Sequence, residues 1–164
     1  MWGSVPNLRD PLGMWGVGAT VGASAFAGGG YGIGGSQTWG GMYFPSTNTS
    51  GGYMSTGAFA GCHSPFGNYQ NNNTGGLGAS AGPGITFTNA NSIQDLGGPF
   101  DTTTYYFGPI SVEFSYSGGI WTLNISGGGG AGLGYAQYVT DTFTNPVSAA
   151  SFPLPSASHG CGCH

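Results

Sequence analysis

The feature that most restricts this chain is an alternation written in small residues. From Trp15 to Ala27 it reads WGVGATVGASAFA. Trp15, Val17, Ala19, Val21, Ala23, Ala25 and Ala27 share one parity, and Gly16, Gly18, Thr20, Gly22, Ser24 and Phe26 share the other. Period two is the period of a β-strand, whose successive side chains leave opposite faces. A flexible Gly-rich linker has no reason to keep it. The pattern predicts a strand over 14–28 and returns at 77–88, where Leu77, Ala79, Ala81, Ile85 and Phe87 alternate with Gly78, Ser80, Gly82, Gly84 and Thr86. In 133–143, Leu133, Tyr135, Val139 and Phe143 again share a parity.

A hairpin is legible in 109–126, PISVEFSYSGGIWTLNIS. With a two-residue turn at Gly118-Gly119, a dipeptide that suits hairpins, Tyr116 faces Trp121, Phe114 faces Leu123 and Val112 faces Ile125. On the opposite face Ser115 meets Thr122 and Glu113 meets Asn124. A one-residue slip would destroy this agreement. Residues 53–61 read as a further short strand, whereas 45–52, 62–76 and 127–132 read as loops or links. In 91–98 one helical turn is expected, with Asn91 as cap, Gln94 at the capping-box position and Gly97 as terminator. About seven or eight short strands with Gly-rich turns and no substantial helix predict an all-β fold, a Gly-rich antiparallel barrel or sandwich. The expected organisation is a turn-rich segment 1–13, a β domain 14–144 and a Pro/Ser-rich tail 145–164.

Composition removes several functions. Charged residues are only 4% of the 164, against about 25% in an ordinary soluble domain. Disorder joins high net charge to few aromatics, but here the net charge is −4 and 14% of residues are aromatic. Binding to nucleic acid runs on Lys and Arg, and Arg9 is the single residue of either type. Nucleic acid is therefore not an expected partner, and anionic membrane surfaces are disfavoured electrostatically. No transmembrane helix is expected, because Gly interrupts the longest apolar stretch. No signal peptide is expected either, because MWGSVPNLRD lacks a basic region followed by an apolar one. Without Lys, strand edges lack their usual charged protection, so closure, membrane insertion or self-assembly must supply it.

Two G-x-G-x-x-G matches, Gly30-Gly32-Gly35 and Gly127-Gly129-Gly132, have no helix after them, which the nucleotide fingerprint requires. No nucleotide is expected. The terminal HGCGCH offers His159, Cys161, Cys163 and His164 as soft ligands suited to Zn or Cu(I). Its C-x-C spacing is tighter than that of a zinc finger. Three Cys imply no complete disulfide framework. Cys62 and His63 are sequence neighbours, whereas a Cys/His catalytic pair usually comes from distant positions. Glu113 shares the polar hairpin face with Asn124, where a lone carboxylate is expected to be solvated. Catalysis is weakly supported, and no catalytic residue is assigned.

The segment NLRDPLGMWG, residues 7–16, resembles the junction that closes the core of Rhs/YD-repeat proteins, a D-P-x-G element followed by an apolar residue. Here Asp10, Pro11 and Gly13 form that element, with Leu12 inside it and Met14 after it. The resemblance implies that residues from about 14 onward are the variable C-terminal domain of a secreted bacterial polymorphic toxin, enclosed by a repeat shell and released by cleavage near the junction. Three readings follow. The first is a non-enzymatic β domain acting on a membrane or partner surface, as an inserting or pore-forming effector. The second is a secreted structural or adhesive domain that never inserts. The third is an enzymatic toxin. Apolar residues outside favour the first, an apolar interior favours the second, and a cleft joining Cys62, His63 and a carboxylate favours the third. Period two gives parity but not direction, so the sequence leaves all three open.

Overall fold

A computed structural model describes residues 15–61 and 73–144. It contains strands β1 (Gly16–Phe44), β2 (Thr49–Gly61), β3 (Thr74–Thr88), β4 (Gly98–Phe107), β5 (Ile110–Ser117), β6 (Ile120–Gly127) and β7 (Gly129–Thr144), with a single 3-10 turn at Gln94–Leu96. All strand pairings are antiparallel.

β1 spans 29 residues, which fully extended would reach about 95 Å. Instead it folds back at Gly29-Gly30, where Gly30 takes φ 88°. Gly28 then lies against Gly32, Gly22 against Gln37 and Thr38, and Gly40 against Thr20. The first arm, 16–30, pairs with β3 from Gly16↔Thr88 to Gly30↔Thr74, and the second, 32–44, pairs with β2 from Gly32↔Gly61 to Phe44↔Thr49. Counting the arms separately gives eight strands. Their order is first arm, second arm, β2, β7, β4, β5, β6, β3, and then the first arm again. The ring is closed, so of the two predicted forms the chain takes the barrel. Closure also shortens the open sheet edge that needs protection, leaving β2 paired to β7 through Tyr53–Gly57.

β7 departs from a simple staves-and-hoops arrangement. Its first half pairs with β3 and its last five residues pair with β2, while β4 follows it along the opposite edge. β6 and the first half of β7 run one after the other antiparallel along β3, and β7 then passes to β2, bending around the tip of the β4–β5 hairpin, where the Gly108 N–H donates to the Gly132 carbonyl and the Gly128 N–H to the Pro109 carbonyl.

The hairpin at 110–127 has the expected register, with Tyr116↔Trp121, Phe114↔Leu123, Val112↔Ile125, Ser115↔Thr122 and Glu113↔Asn124. Gly118 and Gly119 take φ 55° and 92°, the positive pair that a type I′ turn demands. Elsewhere the boundaries differ from expectation. The loop after β1 is only four residues, 45–48, and Thr74–Gly76 and Gly129–Gly132 belong to strands rather than links. Glycine carries no parity, so strands made of it leave no alternation to read. β4 was not expected at all. The turn at 91–98 is present, but the side chain that fastens it is Asp95, whose carboxylate accepts from the N–H groups of Asn91 and Ser92 at 3.1 and 3.0 Å. Ile93 occupies the N-cap position and makes no side-chain cap bond.

Candidate functional site

Direction is the information that period two withholds, and here the aliphatic parity of the first arm of β1 and of β3 faces out. On the first arm of β1, Val21, Ala23 and Ala25 face out while Thr20 and Phe26 are buried. On β3, Leu77, Ile85 and Phe87 face out while Ser80, Thr86 and Thr88 are buried. Large exposed apolar residues come from every strand except β2, among them Leu133 at 73%, Leu77 at 66%, Ile33 at 65% and Tyr31 at 64% of their full exposure. A monomer in water rarely exposes so many large apolar side chains.

The outer surface is banded. Trp15, Tyr43, Phe87, Tyr116 and Trp121 lie where the first arm of β1 begins and its second arm, β3, β5 and β6 meet their turns at one end. Tyr31, Tyr105, Phe107 and Tyr135 lie towards the other end, where the Tyr105 ring centroid is 6.5 Å from that of Phe107 and 6.3 Å from that of Tyr135. Between them the surface is aliphatic and small on the first arm of β1, β3 and β6, with Val21, Ala23, Ile85 and Ile125, and polar on the second arm of β1, β2, β7 and β4, where Gln37, Thr56, Asp141, Gln137, Thr103 and Asp101 take the outward positions. Among the described residues the charged side chains are Asp95, Asp101, Glu113 and Asp141, with no Lys, Arg or His.

The interior is polar at mid-height and apolar at both ends. Cross-strand pairing aligns Thr104 of β4, Glu113 of β5, Asn124 of β6 and Thr86 of β3 at one level. Thr102, Ser115, Thr122 and Thr88 align at the next. Asn124 Oδ1 accepts from the Thr20 and Thr86 hydroxyls at 3.1 and 3.3 Å, and the Thr86 hydroxyl also meets the Tyr53 hydroxyl at 2.9 Å. The Thr102 hydroxyl joins those of Ser115 and Thr140 at 2.8 and 2.7 Å. The Thr104 hydroxyl donates to Glu113 Oε2 at 3.4 Å and meets the Tyr138 hydroxyl at 3.0 Å. Among the described residues Thr74 holds the one buried side-chain oxygen without a partner, so the belt is internally satisfied, as a buried polar network must be.

One end is stoppered by Met42, Phe44, Tyr53, Ala90, Ile93 and Leu96, the last three carried by the β3–β4 connection. The other is stoppered by Phe26, Phe59, Tyr106, Ala136 and Tyr138, whose rings pair at 4.7 Å (Phe26–Tyr106) and 5.2 Å (Phe59–Tyr138). Gly78 makes this second cluster possible, because a Cβ there would sit 2.7 Å from both the Phe26 and Tyr106 rings. Between the clusters remains a cavity of about 20 Å³ bordered by residues of every strand except the first arm of β1, Glu113 and Asn124 among them. An eight-stranded barrel is just wide enough for its side chains to fill, and this one is filled.

Glu113 is thus not a solvated surface carboxylate. Its hairpin face points inward, and it lies among hydroxyls with no cationic side chain from the described residues. No group of three or more His, Cys, Asp or Glu among the described residues is placed to hold a metal ion. The candidate ligands His159, Cys161, Cys163 and His164 lie outside the described residues, as do the junction residues Asp10, Pro11 and Gly13 and the pair Cys62-His63. The two G-x-G-x-x-G matches fall on the β1 fold-back and the β6–β7 junction, neither of which leads into a helix.

No known protein family and no curated protein matches the sequence. Among solved structures, the chain is similar to a β-barrel-like, uncharacterized protein from Brucella abortus, at 14% identity and a TM-score of 0.43, over 84% of this chain and 75% of that one.

Proposed function

We propose that residues 15–144 are a membrane-inserting β-barrel, the non-enzymatic effector domain at the end of a secreted Rhs-like protein. One observation carries the reading: on the first arm of β1, β3, β5 and β6 the apolar parity faces outward and the hydroxyl parity inward, while the outward positions of the β2–β7–β4 sector include Thr56, Asp141, Gln137, Thr103 and Asp101. In lipid every backbone polar group must be paired within the protein, and a closed barrel does this. An apolar outer band flanked by aromatic residues around a polar interior is the surface of a transmembrane barrel. Such a strand needs about 9–11 tilted residues; β3 has 15, β4 has 10 and β7 has 16, while β5 and β6 with 8 are at the short end. No helix of the described chain is long and apolar enough to cross a membrane. The resemblance at Asp10, Pro11 and Gly13 supplies the context of a released effector. The stoppers at both ends make one barrel a poor conduit, so the supported part of the reading is insertion rather than conduction.

Flotation of the full chain with phosphatidylcholine vesicles tests this. The protein is expected to rise with the vesicles and to resist extraction by high salt. β-structured protein that stays at the bottom of the gradient would sink the reading and leave a domain that binds another protein surface.

A further inference from the structure

The two ends of the barrel differ in a way that insertion alone does not use. At one end lie the 45–48 turn, the Gln94–Leu96 turn and the Gly118-Gly119 turn; at the other lie the β1 fold-back at Gly29-Gly30 and the Gly108-Pro109 turn. Asp95 belongs to the first end, and Asp101 and Asp141 lie in the same half, near the start of β4 and the finish of β7. Trp15 and Thr144, where the described chain joins its flanking segments, are in that half as well. The opposite half holds the most exposed apolar side chains, Leu133, Leu77, Ile33, Tyr31 and Phe107. None of its described residues is Asp, Glu, Lys or Arg, and residues 62–72, which join β2 to β3, contain none in their sequence.

We infer that the barrel enters a bilayer in one direction, with the Gly29-Gly30 and Gly108-Pro109 end leading and the Asp95 end held at the near headgroup layer. The inference rests on the membrane reading and adds its sidedness. The reason is transfer cost. Whatever crosses must pass through hydrocarbon, where an ionised carboxylate is expensive and an uncharged turn far less so. Trp and Tyr rings prefer the interface, where one edge is apolar and the other wet. Trp15, Tyr43, Tyr116 and Trp121 therefore hold the trailing rim at the headgroups.

Cysteine labelling from outside preformed phosphatidylcholine vesicles tests the direction. In a Cys62→Ser, Cys161→Ser, Cys163→Ser background, Gly29→Cys and Pro109→Cys report the leading end, and Ser46→Cys and Gln94→Cys report the trailing end. A side chain at position 29 meets nothing within 4 Å, and Ser46, Gln94 and Pro109 are exposed. A membrane-impermeant maleimide is expected to label positions 46 and 94 at once, and 29 and 109 only after detergent is added. Tryptophan quenching by brominated lipid, read on the same vesicles, separates the two ideas. Quenching with the reverse labelling, or with equal labelling of both ends, overturns the direction and leaves insertion standing. Full labelling of all four without quenching overturns both.

Discussion

The inner and outer faces of this barrel are written in different alphabets. Outside are chiefly Trp, Phe, Ile, Leu, Val and Ala, joined on the β2–β7–β4 side by Thr56, Asp141, Gln137, Thr103 and Asp101; inside, at mid-height, are Thr, Ser, Asn and one Glu. A barrel in water buries the first set because removing apolar area from water drives folding. Here the inner face is held by hydroxyl–hydroxyl and hydroxyl–amide bonds, with apolar packing confined to the two stoppers. The difference teaches that the two faces are stabilised separately. The interior is held where its hydrogen bonds are completed, whereas the apolar part of the exterior is stabilised only by whatever covers it, which in the proposed function is lipid.

The largest effect should come from the same change made on the two faces. Phe44 has no exposed surface and Phe107 keeps 56% of its own. Phe44→Ala is expected to cost about 3–5 kcal/mol of unfolding free energy in detergent, and Phe107→Ala no more than about 0.5 kcal/mol; equal losses in chemical denaturation would erase the distinction. Next, a charge on the outside should break insertion without breaking the barrel. Val21→Arg or Ile85→Arg, in the aliphatic band, is expected to cost about 2–4 kcal/mol if it lies at the bilayer midplane. Vesicle titration should read this as a weakening of roughly thirty- to several-hundred-fold, while far-UV circular dichroism is unchanged.

Inside, Asn124→Leu removes the acceptor used by Thr20 and Thr86. It should lower stability by about 1–3 kcal/mol, because the Thr20 hydroxyl is left buried and unpaired while Thr86 keeps the Tyr53 hydroxyl, with vesicle affinity of the folded protein little changed. A fall in vesicle affinity at unchanged stability would contradict the division of labour between the faces. The smallest effect on folding belongs to Leu133→Ser, at the most exposed large apolar side chain. Unfolding should move by no more than about 0.5 kcal/mol, while vesicle affinity declines measurably.

Much of the fold was legible because strand pairing is local. The 110–127 hairpin could be registered residue by residue, since its turn has two glycines and both its faces are chemically pure. β4 was hidden because aromatic residues fall on both its parities, Phe100 and Tyr106 against Tyr105 and Phe107, around a run of Thr. Thr74–Gly76 and Gly129–Gly132 were hidden because they pair through backbone with almost no side chains. The site was legible as two faces but not as an inside and an outside. A signal was present in the kind of polarity: a polar face open to water is normally salted with Lys and Glu, whereas Ser111, Ser115, Thr122, Asn124 and Ser126 form a face of hydroxyls and amide. Groups that can satisfy one another suit a closed interior. Glu113, the lone charge among them, suggested the opposite.

The most direct test of the inverted barrel is tryptophan quenching by lipids brominated along the acyl chain, using Trp2→Phe so that Trp15, Trp39 and Trp121 report alone. All three are on the outer face. Quenching by the brominated chains, deepest for Trp39, together with protection from aqueous acrylamide, is the predicted result. Three tryptophans that remain open to acrylamide and blind to bromine, in protein that is folded and vesicle-exposed, would contradict it and place the apolar face against protein instead of lipid.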